Sequence, residues 1–175
     1  MLKNGYTIES NKYTTHITGI PYEYDFYAGG VNTGNIQADG WTLNGDWTTQ
    51  SKQLCLGHSG TKSGYVVSPK FHTPANINTT TTLTHKYYQL GGSCTAYVGA
   101  TSSPSTKVQT NEYSGFNTLN TGATGGLTTH KGNDTNVVLS STNPYMCISA
   151  KPKASIFGGI TQSYYYLHKA LIQYR

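Results

Sequence analysis

Charge is scarce in this 175-residue chain: Asp, Glu, Lys and Arg together make up 11% of it. A surface that poor in charge has to be solvated by hydroxyls and amides. The seven acidic residues are Glu9, Glu23, Asp25, Asp39, Asp46, Glu112 and Asp134. Hydrolysis of a glycoside needs two carboxylates across a cleft, and Glu23, Asp25 and Asp46 are the best that this chain offers. The expectation is therefore no enzyme. Long apolar runs are also missing. Nothing approaches the ~18 apolar residues of a spanning helix, so membrane insertion is not expected. The opening Met1-Leu-Lys-Asn-Gly-Tyr6 has no apolar signal core, so the expectation is that any export signal has been removed or never existed.

Cysteine is limited to Cys55, Cys94 and Cys147. Three widely spaced thiols fit neither a disulfide framework nor a zinc knuckle. Each lies in an apolar, strand-like run and reads as a small buried hydrophobe. The six histidines, at positions 16, 58, 72, 85, 130 and 168, show no metal-ligand spacing either. Two weak motifs also fall. Gly57-His-Ser-Gly60 is followed by Thr61 where a nucleophile elbow needs glycine, and Gly60-Thr-Lys-Ser63 inserts a threonine into the phosphate-loop pattern. The net charge of +5 comes from twelve scattered Lys and Arg residues, the densest group being Lys151-Pro-Lys153. Without a basic stripe or a recognition helix, nucleic acid is not an expected partner.

What the chain has in quantity is Thr, Gly, Asn, Ser and Tyr, with 15 Tyr against 4 Phe. Thr and Tyr favour strands, and Gly and Asn favour turns. A single domain of this length buries roughly 70% of the surface its unfolded chain exposes, which suffices for a core without staples. Residues 1–12 are weakly patterned and read as an N-terminal arm or edge strand, leaving 13–175 as the domain.

Strands are expected at 14–20 and 22–26, followed by a Gly-rich loop over 28–40, a candidate functional or metal-holding segment. Next come Trp41-Thr-Leu43 and Trp47, split at the tight-turn dipeptide Asn44-Gly45. Leu54-Cys-Leu56 and Tyr65-Val-Val67 flank a loop of hairpin proportions. In 79–88, Leu83, His85 and Tyr87 alternate with Thr82, Thr84, Lys86 and Tyr88, the period of a half-buried strand. Residues 100–134 show no sustained apolar pattern. Strands return at 137–139, 145–150 and 155–160. The closing run 164–174 places Tyr164, Tyr166, His168, Ala170 and Ile172 on one face and Tyr165, Leu167, Lys169, Leu171 and Gln173 on the other. Neither face is polar, as in a central strand. About ten short strands without helices imply an all-β fold, two antiparallel sheets packed as a jelly roll.

The order of pieces carries a resemblance. Asp25-Phe26, a Gly-rich loop, Asp39-Gly-Trp41-Thr42, Leu54-Cys-Leu-Gly57, Gly64-Tyr-Val-Val-Ser-Pro69 and Tyr165-Tyr-Leu-His-Lys-Ala170 follow one another. This sequence resembles the galactose-binding-like jelly-roll modules of surface and secreted proteins of Bacteroides-type bacteria. The likeness spans 20–174 in short patches, none of them catalytic. It implies a secreted or cell-surface location. Members often hold a structural calcium by acidic residues of the closing strand, positions that here are His168 and Lys169. Neither supplies an oxygen, so no cofactor is expected, with Asp25, Glu23 and Asp39 the remaining oxygen donors for a cation.

Sugar recognition needs flat aromatic faces for the ring's C–H surface and polar groups for its hydroxyls. Asn44, Asp46 and Trp47 form one candidate group, with Trp47 favoured and His58 in the neighbouring loop. Tyr87, Tyr88 and 164–166 form another, with Tyr88 and Tyr165 chosen. The expected partner is a glycan or other cell-surface component. The alternative is a structural or adhesive domain that contacts other surface-protein domains.

Overall fold

The structure is a computed structural model, which describes residues 2–3, 6–10, 15–17, 19–26, 32–50, 53–58, 63–73, 75–90, 93–108, 111–112, 128–131, 137–153 and 162–175. In chain order, the first elements are β1 (Leu2–Lys3), β2 (Tyr6–Ser10), β3 (Thr15–Ile17), β4 (Tyr22–Asp25), α1 (Thr33–Ala38), β5 (Thr42–Gly45), β6 (Trp47–Gln50) and β7 (Gln53–His58). They are followed by β8 (Gly64–Val67), β9 (Lys70–Phe71), β10 (Ile77–Leu90), β11 (Ser93–Thr101), β12 (Asn111–Glu112), β13 (Thr128–Lys131), β14 (Val137–Leu139), β15 (Tyr145–Lys153) and β16 (Gln162–Tyr174). The strand expected at 155–160 lies outside the described residues.

Two antiparallel sheets make the expected sandwich. One has seven strands, running β13-β10-β16-β7-β6, with β14 also on β10 and β4 also on β16. The other runs β12-β11-β15-β8-β5. A third, small sheet, β1-β2-β3-β9, joins the N-terminal segment to β9 through a parallel pairing of β3.

The core lies between the large sheets. Strand β10 supplies Thr79, Thr81, Leu83 and His85 to it while Thr80, Thr82, Thr84 and Lys86 stay half-exposed, the alternation read from the sequence. Facing them on the five-stranded sheet are Cys94, Ala96, Val98, Met146 and Ile148; the Thr81 hydroxyl touches the Met146 sulfur at 3.7 Å. The buried Thr79 keeps its hydroxyl paired by donating to the Val137 carbonyl. All three cysteines are buried free thiols. Burial pushes Cys55 and Cys147 up to about 11, so neither is a thiolate nucleophile near neutral pH.

Strand β16 is central, as its two apolar faces imply, but the two faces are not those of a strict period of two. The register with β10 shifts between Thr84 and His85: Lys169 faces Thr84, whereas Leu167 faces His85. His168 is thus the extra residue of a β-bulge. The bulge moves the inward set from Tyr165 and Leu167 to Ala170 and Ile172, all fully buried, and correspondingly moves Tyr164 and Tyr166 to the outer face. It also ends one neighbour and begins another. Strand β7 pairs with residues 163–167, β4 pairs with residues 169–172, and the Phe26 amide donates to the bulge carbonyl of His168 at 2.7 Å.

Two expected hairpins are corners instead. Strand β5 pairs with β8, and β6 pairs with β7, so Gly45 and Asp46 carry the chain from one sheet to the other. Likewise β7 and β8, either side of 58–64, belong to different sheets. An Asn-Gly pair supplies a positive φ, here +98° at Gly45, but which strand follows alongside depends on where the apolar faces are buried. The Gly-rich segment over 28–40 also differs from expectation, since residues 33–38 form one short helix. Asn32 caps it, its side chain accepting from the Asn35 amide at 2.9 Å.

Asp39-Gly40-Trp41 terminates that helix. Gly40 takes the left-handed conformation at φ +92°, which turns Trp41 back into the core. Its ring packs with Tyr22, Tyr24 and Phe26, and its indole N–H donates to the Tyr22 hydroxyl at 3.2 Å. Asp39 accepts a 2.7 Å hydrogen bond from the Tyr24 hydroxyl. Burial first, and then this carboxylate, holds that phenol far above its ordinary range.

Candidate functional site

The outer face of the seven-stranded sheet gathers chemistry that the core does not need. Strands β6, β7, β16 and β10 place Thr48, Cys55, Tyr166 and Lys86 in one cross-strand row. The next row holds Gly57, Tyr164 and Tyr88. Tyr164 and Tyr166, two apart on β16, stack at 6.1 Å with 25° between their planes. The Lys86 amine sits 4.9 Å from the centre of the Tyr166 ring, a cation–π contact. Tyr166 and Lys86 are half-exposed, and the more buried Tyr164 backs them.

Beyond Tyr166 the bulge adds His168, and β4 adds Asp25 and Glu23. Glu23 forms an ion pair with Lys169 at 3.4 Å. Partial burial, and then the nearby Lys86 charge, lowers the pKa of His168 from 6.5, while Asp25 opposes both. A surface results in which a flat phenol lies beside an ammonium group and carboxylates, with the buried imidazole of His168 behind them. It can stack on an apolar ring face and hydrogen-bond to the substituents of that ring.

The sign of the His168 effect predicts a pH dependence. The unfolded imidazole protonates more readily than the folded one, so folding is undisturbed above about pH 6.5 and weakens as pH falls below it, until the folded imidazole is protonated too. Melting at pH 8, 6.5 and 5 is expected to show this loss, and His168→Gln should flatten it. An unchanged slope in the variant would refute the assignment.

The site residues read from sequence are spread over this neighbourhood, in different roles. Trp47, only 8% exposed, is a core residue and not an open loop aromatic: its ring meets Tyr165 at 6.2 Å, and its N–H donates to the Asn44 carbonyl at 3.0 Å. Tyr165 is fully buried, its hydroxyl 2.8 Å from Nδ1 of His85. Neither ring offers a face to a ligand. Asn44 is half-buried, and its amide donates to the Pro104 carbonyl at 3.0 Å, tying the 103–105 turn to the five-stranded sheet together with Tyr65, which donates to Ser105. Asp46 is exposed at the corner. His58 ends strand β7, not a loop, opposite Ser163, and Tyr88 lies opposite Tyr164; their side chains are outside the described residues. The sequence named 164–166 as a group, but only the bulge and the register select Tyr164 and Tyr166. Lys86 was visible only as the polar side of an alternating strand.

Among the described residues, no group of three His, Cys, Asp or Glu is arranged to hold a metal ion. Asp39 is engaged with Tyr24, away from the Glu23–Lys169 pair.

The fold is one already seen in an adhesin. The K1 cleaved adhesin domain of Lys-gingipain from Porphyromonas gingivalis W83 superposes with a TM-score of 0.53 over 90% of this chain and 99% of that one, at 13% identity. Its K3 counterpart from the same protein gives 0.48 over 87% and 96%, also at 13% identity. The carbohydrate recognition domain of Emp47p gives 0.49 over 89% and 96%, at 9% identity. No family model and no curated protein sequence matches the chain. The K1 superposition shows the β-sandwich of the adhesin domain, the jelly-roll architecture expected from the sequence. Among the described residues no helix is long and apolar enough to cross a membrane.

Proposed function

We propose that this domain is a non-catalytic glycan-binding module displayed outside the cell, and that it holds a sugar ring against Tyr166. The observation that carries the proposal is the Tyr164–Tyr166 stack with the Lys86 amine over the Tyr166 ring, on the outer face of a sheet. A pyranose has one face of C–H bonds, which an aromatic ring matches, and a rim of hydroxyls, which need donors and acceptors. Tyr164 stiffens the platform from behind. The Lys86 amine, which lies over the Tyr166 ring, moves aside to admit the sugar and supplies donors to its hydroxyls, with Thr48 in the same row. Lys86 and the carboxylate of Asp25 both lie close enough to His168 to act on its charge, so the surface is mixed in charge and suits hydroxyl-rich ligands better than polyanions.

Retardation of the domain in polysaccharide-containing gels, followed by titration of the retarding glycan, tests this reading. Tyr166→Ala is expected to weaken binding about tenfold, the equivalent of ~1.4 kcal/mol, whereas Tyr166→Phe keeps most of it. Undiminished retardation of Tyr166→Ala would refute the platform. Trp47→Ala is unsuitable here because it opens the core.

The likeness to the K1 adhesin domain favours a second reading, an adhesive domain that contacts other surface-protein domains. Specific capture of a protein partner with silent glycan screens would select it.

A further inference from the structure

A cleft that shares no residue with the tyrosine platform lies where the start of β10 and the end of β16 meet β9 and residues 19–20. Its wall and floor are Ile20, Ile77 and Phe71, its rim is Tyr174 and His72, and Thr73 lines it as well. Phe71 is buried, its ring meeting Tyr22 edge-on at 5.8 Å. Tyr174 has the inward parity of Ala170 and Ile172 but lies past the end of the core. It is 62% exposed, the one large hydrophobic side chain so exposed among the described residues. Its backbone is nonetheless fixed, paired with Thr79 and followed by an Arg175 amide that donates to the Asn78 carbonyl.

Thr73 is what makes this cleft unusual. It is 7% exposed, and its buried hydroxyl has no hydrogen-bond partner among the described residues. The other buried threonines among the described residues, Thr79, Thr81 and Thr101, each donate to a carbonyl or a sulfur. A buried hydroxyl left unmet costs free energy that a ligand's polar group can recover. The cleft volume of about 40 Å³ exceeds the ~10–15 Å³ that one water needs but is far below that of a sugar ring.

We infer that this cleft is a second, end-on ligand site, which takes a hydroxyl or hydroxymethyl group down to Thr73 while the ring that bears it lies against Tyr174. The chemical class is a single pyranose unit, held by its edge at a chain end or branch. The site is independent of the platform around Tyr166, since the two share no residue.

Saturation-transfer NMR with a panel of methyl hexopyranosides tests the inference on the whole domain carrying Tyr166→Ala, so that no transfer comes from the platform. That protein is expected to give transfer to at least one glycoside. Adding Tyr174→Ala, at an exposed position, or Thr73→Val, of equal shape without the hydroxyl, should each reduce the affinity about tenfold or more. Absence of transfer before the cleft is altered would mean a cleft filled only by water and would overturn the inference, as would transfer that survives either cleft variant. Failure of the platform reading shows separately, as polysaccharide retardation that Tyr166→Ala does not weaken.

Discussion

Trp41→Ala is expected to destabilise the domain by ~3–5 kcal/mol, the range for removing a large aromatic from a packed core, and to lower its melting midpoint by roughly 10 °C. The Trp41 ring is shared by three partners, with centroid separations of 6.4 Å to Tyr22, 5.2 Å to Tyr24 and 4.8 Å to Phe26. Truncation leaves a void that strand β4, pinned to β16, cannot collapse to fill, and it removes the indole N–H that the Tyr22 hydroxyl accepts. Trp41→Phe separates the contributions, since it keeps most of the apolar contact and loses only the hydrogen bond. Thermal or urea unfolding of the two variants measures both. A loss below about 1 kcal/mol for Trp41→Ala would show that the corner is not part of the cooperative core.

Gly45→Ala is the second large effect, expected at ~2–4 kcal/mol from a disfavoured backbone conformation combined with overpacking. Gly45 has φ +98°, and a Cβ there would stand 2.6 Å from the Ser63 carbonyl oxygen and 2.8 Å from the Gly64 Cα. Both obstacles are backbone, so no rotamer change relieves them. This is the point where the chain leaves one sheet for the other, with Gly45 paired to Gly64. Gly64→Ala provides the comparison. Its Cβ would meet the Trp47 indole nitrogen at 2.7 Å, beside the Asn44 carbonyl at 3.0 Å, so its cost would come from displacing a buried ring and its hydrogen bond and not from a positive φ. Equal stability of Gly45→Ala and wild type in denaturant titration would contradict the corner geometry. The pair also accounts for the burial of Trp47: Gly64 leaves room beside its indole, which hydrogen-bonds to the carbonyl just before the corner.

Much of the sheet pattern was legible beforehand, and what was misread has a common cause. Strand β10 alternates in sequence as it does in space, because one of its faces is core and its partners stay in step. The closing strand was recognised as central from its two apolar faces, but its alternation breaks at His168, and a bulge leaves no mark in composition. Tyr165 was therefore taken for a site residue while Tyr166, one position on, has the half-exposed ring. Trp47 was misjudged on the same ground: beside Asn44-Gly45-Asp46 it reads as a turn aromatic, whereas the chain there changes sheets and folds the ring inward.

Composition and local pattern alone determined that this chain is an all-β sandwich with little charge and many aromatic hydroxyls, because strand period and turn residues are properties of neighbours in sequence. Tertiary structure alone decided which rings face out, which glycine pair forms a corner, and where a threonine hydroxyl is left unmet. Those outcomes depend on register between strands far apart in the chain, and a shift of one residue exchanges the buried and exposed faces.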